Sequence, residues 1–347
     1  MQTVIIVGAG PSGLLLALYL SRAGINVRVL EAAMEPDRQP RATHYGPAAV
    51  HELRRSGILE AMQEKGSFSP KSVSWRAADG SLLAALPKPP APTGDAAPPD
   101  GVVSLPLNLV VEILMEAVGA QPTAQVEFGC RVVDVGQDPG SAWVDIVKDG
   151  EGEKTSRIEG SYVVGCDGAS SSVRNSLFGK SFPGYTWDTW LVAVNVRLHD
   201  VAAYHEAFSD VNFLIDPTNW LGRVLLAADA AHLCNPMGGM GLTNGMVDVG
   251  GLADCLVGIH RGLTDEGILD KYDSVRRGIF QDVVDGITTA NLKRIMQDST
   301  MLANVMRAPT KLKHDFTQYY AADSRPDSQN KGLDVQSSIE NSAVASA

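Results

Sequence analysis

A glycine-rich loop between a strand and a helix, near the N-terminus, constrains the fold of this chain more than any other feature. Thr3–Val7 is a continuous apolar, β-branched run, which is typical of a strand buried on both faces. The loop GAGPSG follows it, then a helix predicted over about Pro11–Ala23 and a second strand predicted over Ile25–Leu30. This order is that of a βαβ unit, so we expect an α/β fold built on a parallel sheet.

The glycines of this loop have different physical roles. Gly8 permits a tight turn, Gly10 lets the backbone approach a pyrophosphate, and Gly13 lets the helix pack closely on the strand. The helix N-terminus offers free N–H groups and a positive dipole end to phosphates. Glu31 follows the second strand, 18 residues beyond Gly13, where an acid accepts hydrogen bonds from ribose hydroxyls. These four residues predict a dinucleotide site, and a turn that only packs is the alternative.

A second segment, Tyr162–Arg174, runs from a hydrophobic strand into an Asp-Gly pair. Asp167 and Gly168 would bring a carboxylate and a flexible backbone to a ligand at the carboxyl edge of the sheet. The alternative is a surface turn that caps a helix, with Ser170 as the N-cap.

A third segment, Gly222–Gly245, repeats the pattern of a short strand, an aspartate and a glycine-rich loop. The strand is predicted over Arg223–Ala227, and a long helix is predicted to begin near Thr243. The positive end of this helix would point into the loop. The candidate ligand-binding residues here are Asp229, Pro236, Gly239 and Gly241.

The three segments, in this order, resemble the FAD fingerprint, the DG motif and the GD motif of class A flavoprotein monooxygenases, the FAD-dependent aromatic hydroxylases similar to p-hydroxybenzoate hydroxylase. Pro40–Met62 resembles the family's segment after the second strand, and the resemblance covers most of residues 1–183 and 220–290. It implies that Glu31 binds the adenosine ribose. It also implies that Arg41 lies near the FAD phosphates or the nicotinamide cofactor.

For the other two motifs the resemblance implies roles that spacing alone does not give. Asp167 and Gly168 would serve both FAD and NAD(P)H, and Asp229 would bind the ribityl and pyrophosphate region. Pro236–Gly241 would pass close to the flavin ring, where the helix dipole stabilises negative charge. NAD(P)H would be a co-substrate without a Rossmann domain of its own. No residue is assigned as catalytic, and no metal is expected.

The function implied by the resemblance is that of an FAD- and NAD(P)H-dependent monooxygenase in secondary metabolism. It would insert one oxygen atom from O2 into an aromatic or polyketide-like small molecule. Two alternatives stay open: a truncated, non-catalytic or uncoupled flavin-binding paralogue, and a flavin dehydrogenase or oxidase.

The implied fold is a Rossmann-like FAD-binding fold with an interleaved, truncated mixed β-sheet substrate domain and a helical C-terminal region. We expect four parts along the chain: a discontinuous FAD-binding domain, a reduced substrate-domain sheet, the helical region and a disordered tail. The FAD-binding domain is assigned to residues 1–70, 101–182 and 222–260, and the reduced substrate-domain sheet to residues 71–100 and 183–221. The helical region is assigned to residues 261–320 and the disordered tail to residues 321–347.

The sequence departs from the family pattern in two places. Ala228 stands where the GD motif normally has glycine, which would weaken FAD binding if that position needs a positive φ. In addition, only 62 residues separate Asp167 from Asp229, an interval that normally holds most of the substrate-domain sheet. Phe213–Trp220 runs directly into the GD strand, so several strands are expected to be missing. A gene-model artefact, a degenerate paralogue and a genuinely reduced enzyme are the three explanations.

Charge and cysteine content exclude several other classes of protein. The net charge of -11 opposes binding to nucleic acid or to an anionic membrane. The four cysteines form no CxxC pair, which gives no support to a zinc site. No signal peptide is recognised before the first strand, and the apolar run Leu14–Leu20 is too short to span a bilayer. A cytoplasmic protein without stable membrane insertion, acting on a small-molecule substrate, is therefore expected; the oligomeric state stays open.

Overall fold

The computed structural model describes residues 3–38, 43–70, 72–77, 80–86, 101–150, 154–179, 211–215 and 240–290. In chain order the elements are β1 (Thr3–Val7), α1 (Pro11–Arg22), β2 (Asn26–Leu30), β3 (His44–Tyr45), α2 (Pro47–Arg55), α3 (Leu59–Glu64), β4 (Val73–Ala77), β5 (Leu82–Leu86), β6 (Val103–Ser104), α4 (Leu107–Gly119), β7 (Ala124–Glu127), β8 (Cys130–Asp138), β9 (Ser141–Lys148), β10 (Thr155–Gly160), β11 (Tyr162–Gly165), α5 (Ser172–Phe178), β12 (Val211–Ile215), α6 (Met240–His260) and α7 (Gly267–Ile279), followed by a π-helical segment over Phe280–Asp285.

A parallel sheet with the strand order β11-β1-β2-β7 forms the centre of the fold. β1 pairs in parallel with β11 on one side and with β2 on the other, and β2 pairs in parallel with β7. Val7 is in register with both Gly165 and Leu30, so the carboxyl ends of three strands lie at one edge. The prediction of an α/β fold on a parallel sheet is confirmed.

The two faces of β1 are buried against different layers because successive side chains of a strand point to opposite faces. Val4 and Ile6 pack with α1 and α4 in one cluster. Ile5 and Val7 pack with Ile146 and its neighbours from the antiparallel sheet β10-β9-β8. Each such side chain contributes roughly 1.5–3 kcal/mol when it is fully buried. The parallel sheet therefore lies between a helical layer and an antiparallel β-layer.

Two predicted elements are each divided by a glycine in the left-handed conformation. The helix predicted over Pro47–Lys65 is two helices, α2 and α3, interrupted where Gly57 has φ +69°. The strand predicted over Gln125–Asp134 is likewise two strands, β7 and β8, separated at Gly129 with φ +67°. A residue at positive φ breaks the regular hydrogen-bonding pattern, and glycine adopts it without steric cost. After this break the chain leaves the parallel sheet, and its next strand, β8, pairs with β9 in the antiparallel sheet.

A second, smaller sheet has the order β12-β4-β5. The sequence predicts a β-hairpin from two strands, over residues 73–76 and 81–86, on either side of a turn at 78–80. β4 and β5 pair in antiparallel fashion, as this hairpin requires, and β12 lies parallel to β4. In the described part of the chain β5 forms an edge of this sheet, and its Leu82 and Leu83 are 58% and 50% exposed. The sequence also predicts a strand over Leu191–Val196 and a loop over the proline-rich run at 87–101. This strand, the strand predicted over Arg223–Ala227, residues 87–100 of the loop and the tail at 321–347 lie outside the described residues.

Helix α6 is long and apolar enough to cross a membrane by length and composition, with a mean hydropathy of 1.2. However, 72% of the most apolar 18-residue stretch of this helix is buried inside the protein, and α6 packs on α1 and α2. Most of α6 is therefore buried within the core of the described fold. The helix begins at Met240 rather than near Thr243, so Gly241 lies in its first turn instead of in the preceding loop.

Candidate functional site

The first and third glycines of the loop after β1 are required by the packing of the protein itself. Gly8 has φ +103°, and a Cβ atom there would overlap the backbone carbonyl of Cys166, which follows β11. A Cβ atom on Gly13 would overlap the carbonyl oxygen of Gly8 and lie 3.3 Å from the side chain of Ile6. The loop is therefore held tightly between β11 and α1.

Gly10, in contrast, faces open space. Its backbone is extended, with φ −72° and ψ 179°, and no atom of the described residues lies within 4 Å of the position that a Cβ would take. The fold alone thus does not explain a glycine here. A ligand whose phosphates approach the backbone would explain it.

The N-terminus of α1 offers hydrogen-bond donors to such a ligand. Pro11 occupies the first turn, and no side chain of the described residues caps the helix. Leu14 N–H donates to the carbonyl of Gly10, whereas within the described ranges no acceptor is assigned to the N–H groups of Gly10, Ser12 or Gly13. These donors and the positive end of the helix dipole suit an anionic pyrophosphate.

Glu31 lies at the carboxyl end of β2, and its carboxylate is oriented by two backbone N–H groups. Ala9 N–H donates to Oε2 at 2.7 Å, and Ala33 N–H donates to Oε1 at 2.9 Å. The first of these bonds ties the carboxylate to the glycine loop. Because an ionised carboxylate has about four acceptor positions, it can still accept hydrogen bonds from the hydroxyls of a ribose.

Asp167 follows β11 at the same edge, next to Gly8, but its side chain caps helix α5. Its Oδ2 accepts hydrogen bonds from Ser172 N–H at 2.7 Å, Ser172 Oγ at 2.9 Å and Val173 N–H at 3.2 Å. The N-cap of α5 is Ser171 rather than Ser170, and its Oγ accepts from the N–H of Arg174. The capping alternative for Asp167 is therefore present in the structure, and a role in cofactor binding stays a prediction.

The remaining predicted ligands of the cofactor fall into two groups. Gly168, with φ +77°, forms the turn between Asp167 and α5. Gly241 lies in the first turn of α6, close to Thr243, whose Oγ1 accepts a hydrogen bond from Gly46 N–H at 3.3 Å. Because Gly46 is the N-cap of α2, this contact joins the N-terminal ends of α2 and α6. The other predicted ligands lie outside the described residues: Arg41, Asp229, Pro236 and Gly239, together with Ala228.

Two buried polar atoms, one of them at this edge, were not predicted from the sequence. Among the described residues, no hydrogen-bond partner is assigned to Tyr45 Oη or to Asn108 Oδ1. Asn108 lies in the first turn of α4, which leads into β7; since β7 runs parallel to β1, this turn is at the carboxyl edge. Burial raises the pKa of Tyr45, which keeps its hydroxyl protonated. Unpartnered buried polar atoms are rare, and a bound ligand is one way to satisfy them. The only sign of these atoms in the sequence was Asn108, a polar residue in the first turn of an otherwise apolar helix.

Comparison with protein families gives a match over most of the chain. The family described as "FAD binding domain" matches residues 1–220 and, as a second segment, residues 217–287. The two matched segments overlap at residues 217–220. This is the place, at Trp220, where the sequence predicts that strands of the substrate domain are missing.

Relatives of known activity match over similar lengths. Para-nitrophenol 4-monooxygenase of Pseudomonas sp. (strain WBC-3) is 29% identical over 358 aligned positions, which cover 84% of this chain and 86% of the relative. 6-Hydroxy-3-succinoylpyridine 3-monooxygenase HspB of Pseudomonas putida (strain DSM 28022 / S16) is 30% identical, covering 85% of this chain and 89% of the relative. The first alignment has 358 positions, more than the 347 residues of this chain, yet it includes only 84% of the chain. The remaining positions are gaps in this chain, where the relative has residues that this chain lacks.

A solved structure has the same fold. The crystal structure of p-nitrophenol 4-monooxygenase PnpA from Pseudomonas putida DLL-E4 matches with a TM-score of 0.71 and 22% sequence identity. The match covers 99% of this chain and 98% of that one.

Proposed function

Because the chain belongs to the family of class A FAD-dependent monooxygenases, we propose that it inserts one oxygen atom from O2 into a small aromatic molecule, with NAD(P)H as the reductant. Two relatives are named for substrates that carry a hydroxyl group on an aromatic ring, para-nitrophenol and a hydroxypyridine. These names favour a hydroxyl-bearing aromatic ring over the polyketide-like alternative.

One observation carries the proposal: the glycine loop, Glu31 and the turn after β11 meet at the carboxyl edge of the parallel sheet. The space in front of Gly10 and the N–H groups at the start of α1, for which the described residues supply no acceptor, fit a pyrophosphate. The oriented carboxylate of Glu31, two strands' width from that turn, fits the ribose of the adenosine half. The residues present therefore fit FAD.

In this proposal the bound flavin supplies the redox chemistry and the activation of O2. The protein binds, orients and excludes water. The N–H groups of the glycine loop hold the pyrophosphate and Glu31 holds the ribose. Arg41, Asp229 and the segment Pro236–Gly241 are proposed to complete the cofactor site. Asp167 would act through the turn that it stabilises, because its carboxylate is already occupied by α5.

A second candidate function is that of a flavin-binding paralogue that does not couple reduction to hydroxylation. The break in the family match at residues 217–220 favours it, as does the exposed edge strand β5 with Leu82 and Leu83. A reduced substrate domain would let water reach the activated oxygen, which then leaves as hydrogen peroxide. A flavin dehydrogenase or oxidase on the same fold is the other alternative.

Four measurements separate these functions. Purified protein reconstituted with FAD should be yellow, and it should consume NAD(P)H in the presence of a hydroxyl-bearing aromatic compound. With 18O2, label should enter the product if the protein is a monooxygenase. Hydrogen peroxide without labelled product indicates the uncoupled paralogue, and product without label indicates a dehydrogenase or oxidase. Sequencing transcripts across the Trp220 junction tests the artefact explanation, because a uniform message without additional coding sequence excludes it.

A further inference from the structure

Near the N-terminal end of α6, a buried arginine of α7 binds two polar side chains of α6. Arg276 is 5% exposed, and it donates from Nη2 to Asn244 Oδ1 at 2.6 Å and from Nε to Asp248 Oδ1 at 2.5 Å. Asn244 is fully buried, and the side chain of Asp248 is 15% exposed. Because well-packed apolar side chains often stabilise a fold at least as well as a buried ion pair, stability alone is a weak reason for this arrangement.

The two hydrogen bonds of Arg276 orient its charge along α6. Asn244 and Asp248 are four residues apart, about 6 Å along the helix axis, and Asn244 is the nearer to the N-terminus. The guanidinium therefore extends from the carboxylate of Asp248 toward the first turn of α6. The positive end of this ion pair points the same way as the positive end of the helix dipole, so the two fields add. From Met240 to Val247 the helix has no ionisable side chain of its own.

The surroundings of Tyr272 place this ion pair on the carboxyl side of the parallel sheet. Tyr272 Oη donates to the carbonyl of Asp248 at 3.1 Å. Burial raises the pKa of Tyr272, and both Asp248 and Cys166 are near enough to raise it further, while Arg276 opposes the rise. Cys166 follows β11, and its carbonyl is what a Cβ atom on Gly8 would meet. The charge of Arg276 is therefore on the side of the fold where β11 ends beside the glycine loop.

We propose that Arg276 is a positioning residue of the cofactor site, which holds the first turns of α6 and adds positive charge to them, so that reduced FAD is bound more tightly. This inference rests on the proposed function, in which Gly241 lies along the flavin ring. Gly241 is three residues from Asn244, about 4.5 Å along α6. Reduction adds two electrons and one proton to the flavin, so the reduced form carries one negative charge more than the oxidised form. A buried positive charge fixed near this turn stabilises the added negative charge, and Arg276 itself neither gains nor loses a proton.

The experiment uses the FAD-loaded protein and measures the midpoint potential of the bound flavin. Xanthine and xanthine oxidase supply the electrons without oxygen, and a dye of known potential is the reference. Arg276→Gln removes the charge but keeps a hydrogen-bond donor, Arg276→Lys keeps the charge, and Asp248→Asn removes the opposing negative charge. Arg277→Gln, at a half-exposed position of α7, is the matched control. Flavin absorbance of each variant reports whether it has folded and bound FAD.

We expect Arg276→Gln to weaken the binding of reduced FAD, relative to oxidised FAD, by about tenfold, which lowers the potential of a two-electron couple by about 30 mV. Asp248→Asn should raise the potential, because the arginine then acts without its counter-charge. Arg276→Lys and Arg277→Gln should stay close to wild type. A loosened fold does not explain shifts of opposite sign in the two charge variants, whereas the charge of Arg276 does.

Each contrary result has a distinct meaning. If Arg276→Gln and Asp248→Asn keep the wild-type potential, or if both shift it in the same direction, the role of Arg276 is wrong while the proposed binding of FAD stands. Where only one of these two variants retains FAD, the sign of its shift decides. If all variants at the two positions lose FAD and Arg277→Gln keeps it, the ion pair serves the fold alone and the inference is overturned. If wild type binds no FAD, the proposed function fails, and this inference fails with it.

Discussion

At the scale of single residues, Gly10 distinguishes what the fold requires from what a cofactor requires. In the described part of the chain no atom lies within 4 Å of its Cβ position, and its φ is −72°, so alanine fits the described fold. A pyrophosphate against the backbone would meet the added methyl group. We therefore expect Gly10→Ala to weaken FAD binding by about tenfold or more, equivalent to about 1.4 kcal/mol, without changing the Tm of the FAD-free protein. Flavin fluorescence titration and calorimetry measure the two quantities.

Two other glycines provide the comparison for Gly10→Ala. Gly119 is exposed at the end of α4, and no atom of the described residues lies within 4 Å of its Cβ position, so alanine there should leave both quantities unchanged. Gly8→Ala should lower both the Tm and the affinity for FAD, because of the positive φ and the overlap with Cys166. Unchanged FAD affinity in Gly10→Ala would show that no phosphate lies against this residue.

At the scale of elements, a buried arginine of α7 is bound to polar side chains of α6, beside a hydrogen bond from Tyr272 Oη to the carbonyl of Asp248. Arg276 is 5% exposed and donates from Nε to Asp248 at 2.5 Å and from Nη2 to Asn244 at 2.6 Å. Replacing it by methionine removes the guanidinium partner of a largely buried carboxylate. We expect Arg276→Met to lower the free energy of unfolding by about 3–5 kcal/mol, measured by urea denaturation.

The next residue along the chain is the matched control for this prediction. Arg277 is half exposed and pairs with Asp273 at the surface of α7. Arg277→Met should change the free energy of unfolding by less than about 0.5 kcal/mol. Equal losses in the two variants would mean that helix propensity, rather than the buried ion pair, determines the effect.

The contact between α1 and α2 predicts a dependence of stability on pH. Glu52 is 6% exposed and accepts a hydrogen bond from Tyr19 Oη at 2.9 Å. Burial raises the pKa of Glu52 above its ordinary value of 4.5, and the nearby Arg55 offsets this only in part. A raised pKa in the folded state means that this group contributes stability below pH 4.5 and that the contribution is lost as the pH rises through the folded pKa.

Glu52→Gln removes this titration while it keeps an acceptor for Tyr19. We expect its free energy of unfolding to vary less with pH above 4.5 than that of wild type, with the larger difference at neutral pH. Glu64→Gln, exposed on α3, should keep the wild-type profile. If the free energy of unfolding depends on pH in the same way in wild type and Glu52→Gln, the pKa of Glu52 is not raised in the folded protein.

The boundaries of the elements show what could be predicted from the sequence and what could not. The strand–loop–helix–strand at the N-terminus was predicted correctly because its apolar pattern and its glycines act locally. The splits at Gly57 and Gly129 were missed, since a glycine shows its left-handed conformation only when the flanking segments pack in different directions. β10 was missed because Ile158 is its only buried residue. The capping role of Asp167 was weighed as an alternative, but its partners depend on how α5 starts.

At the scale of the whole molecule, residues distant in sequence meet at one edge of one sheet, so binding of the cofactor should stabilise the whole described core together. The described residues that we propose to bind FAD would hold its adenosine and pyrophosphate half: the loop at Gly8–Gly13 and the carboxylate of Glu31. ADP should therefore bind by itself, compete with FAD and raise the Tm, whereas riboflavin, which lacks both groups, should do neither. At a free concentration one hundred times its Kd, a ligand that binds only the folded state adds about 2.7 kcal/mol to stability. Thermal unfolding with FAD, ADP and riboflavin measures this, and a single transition that moves as a whole is expected. A shift with riboflavin but not with ADP would place the main affinity in the flavin half and would overturn the role given to the glycine loop.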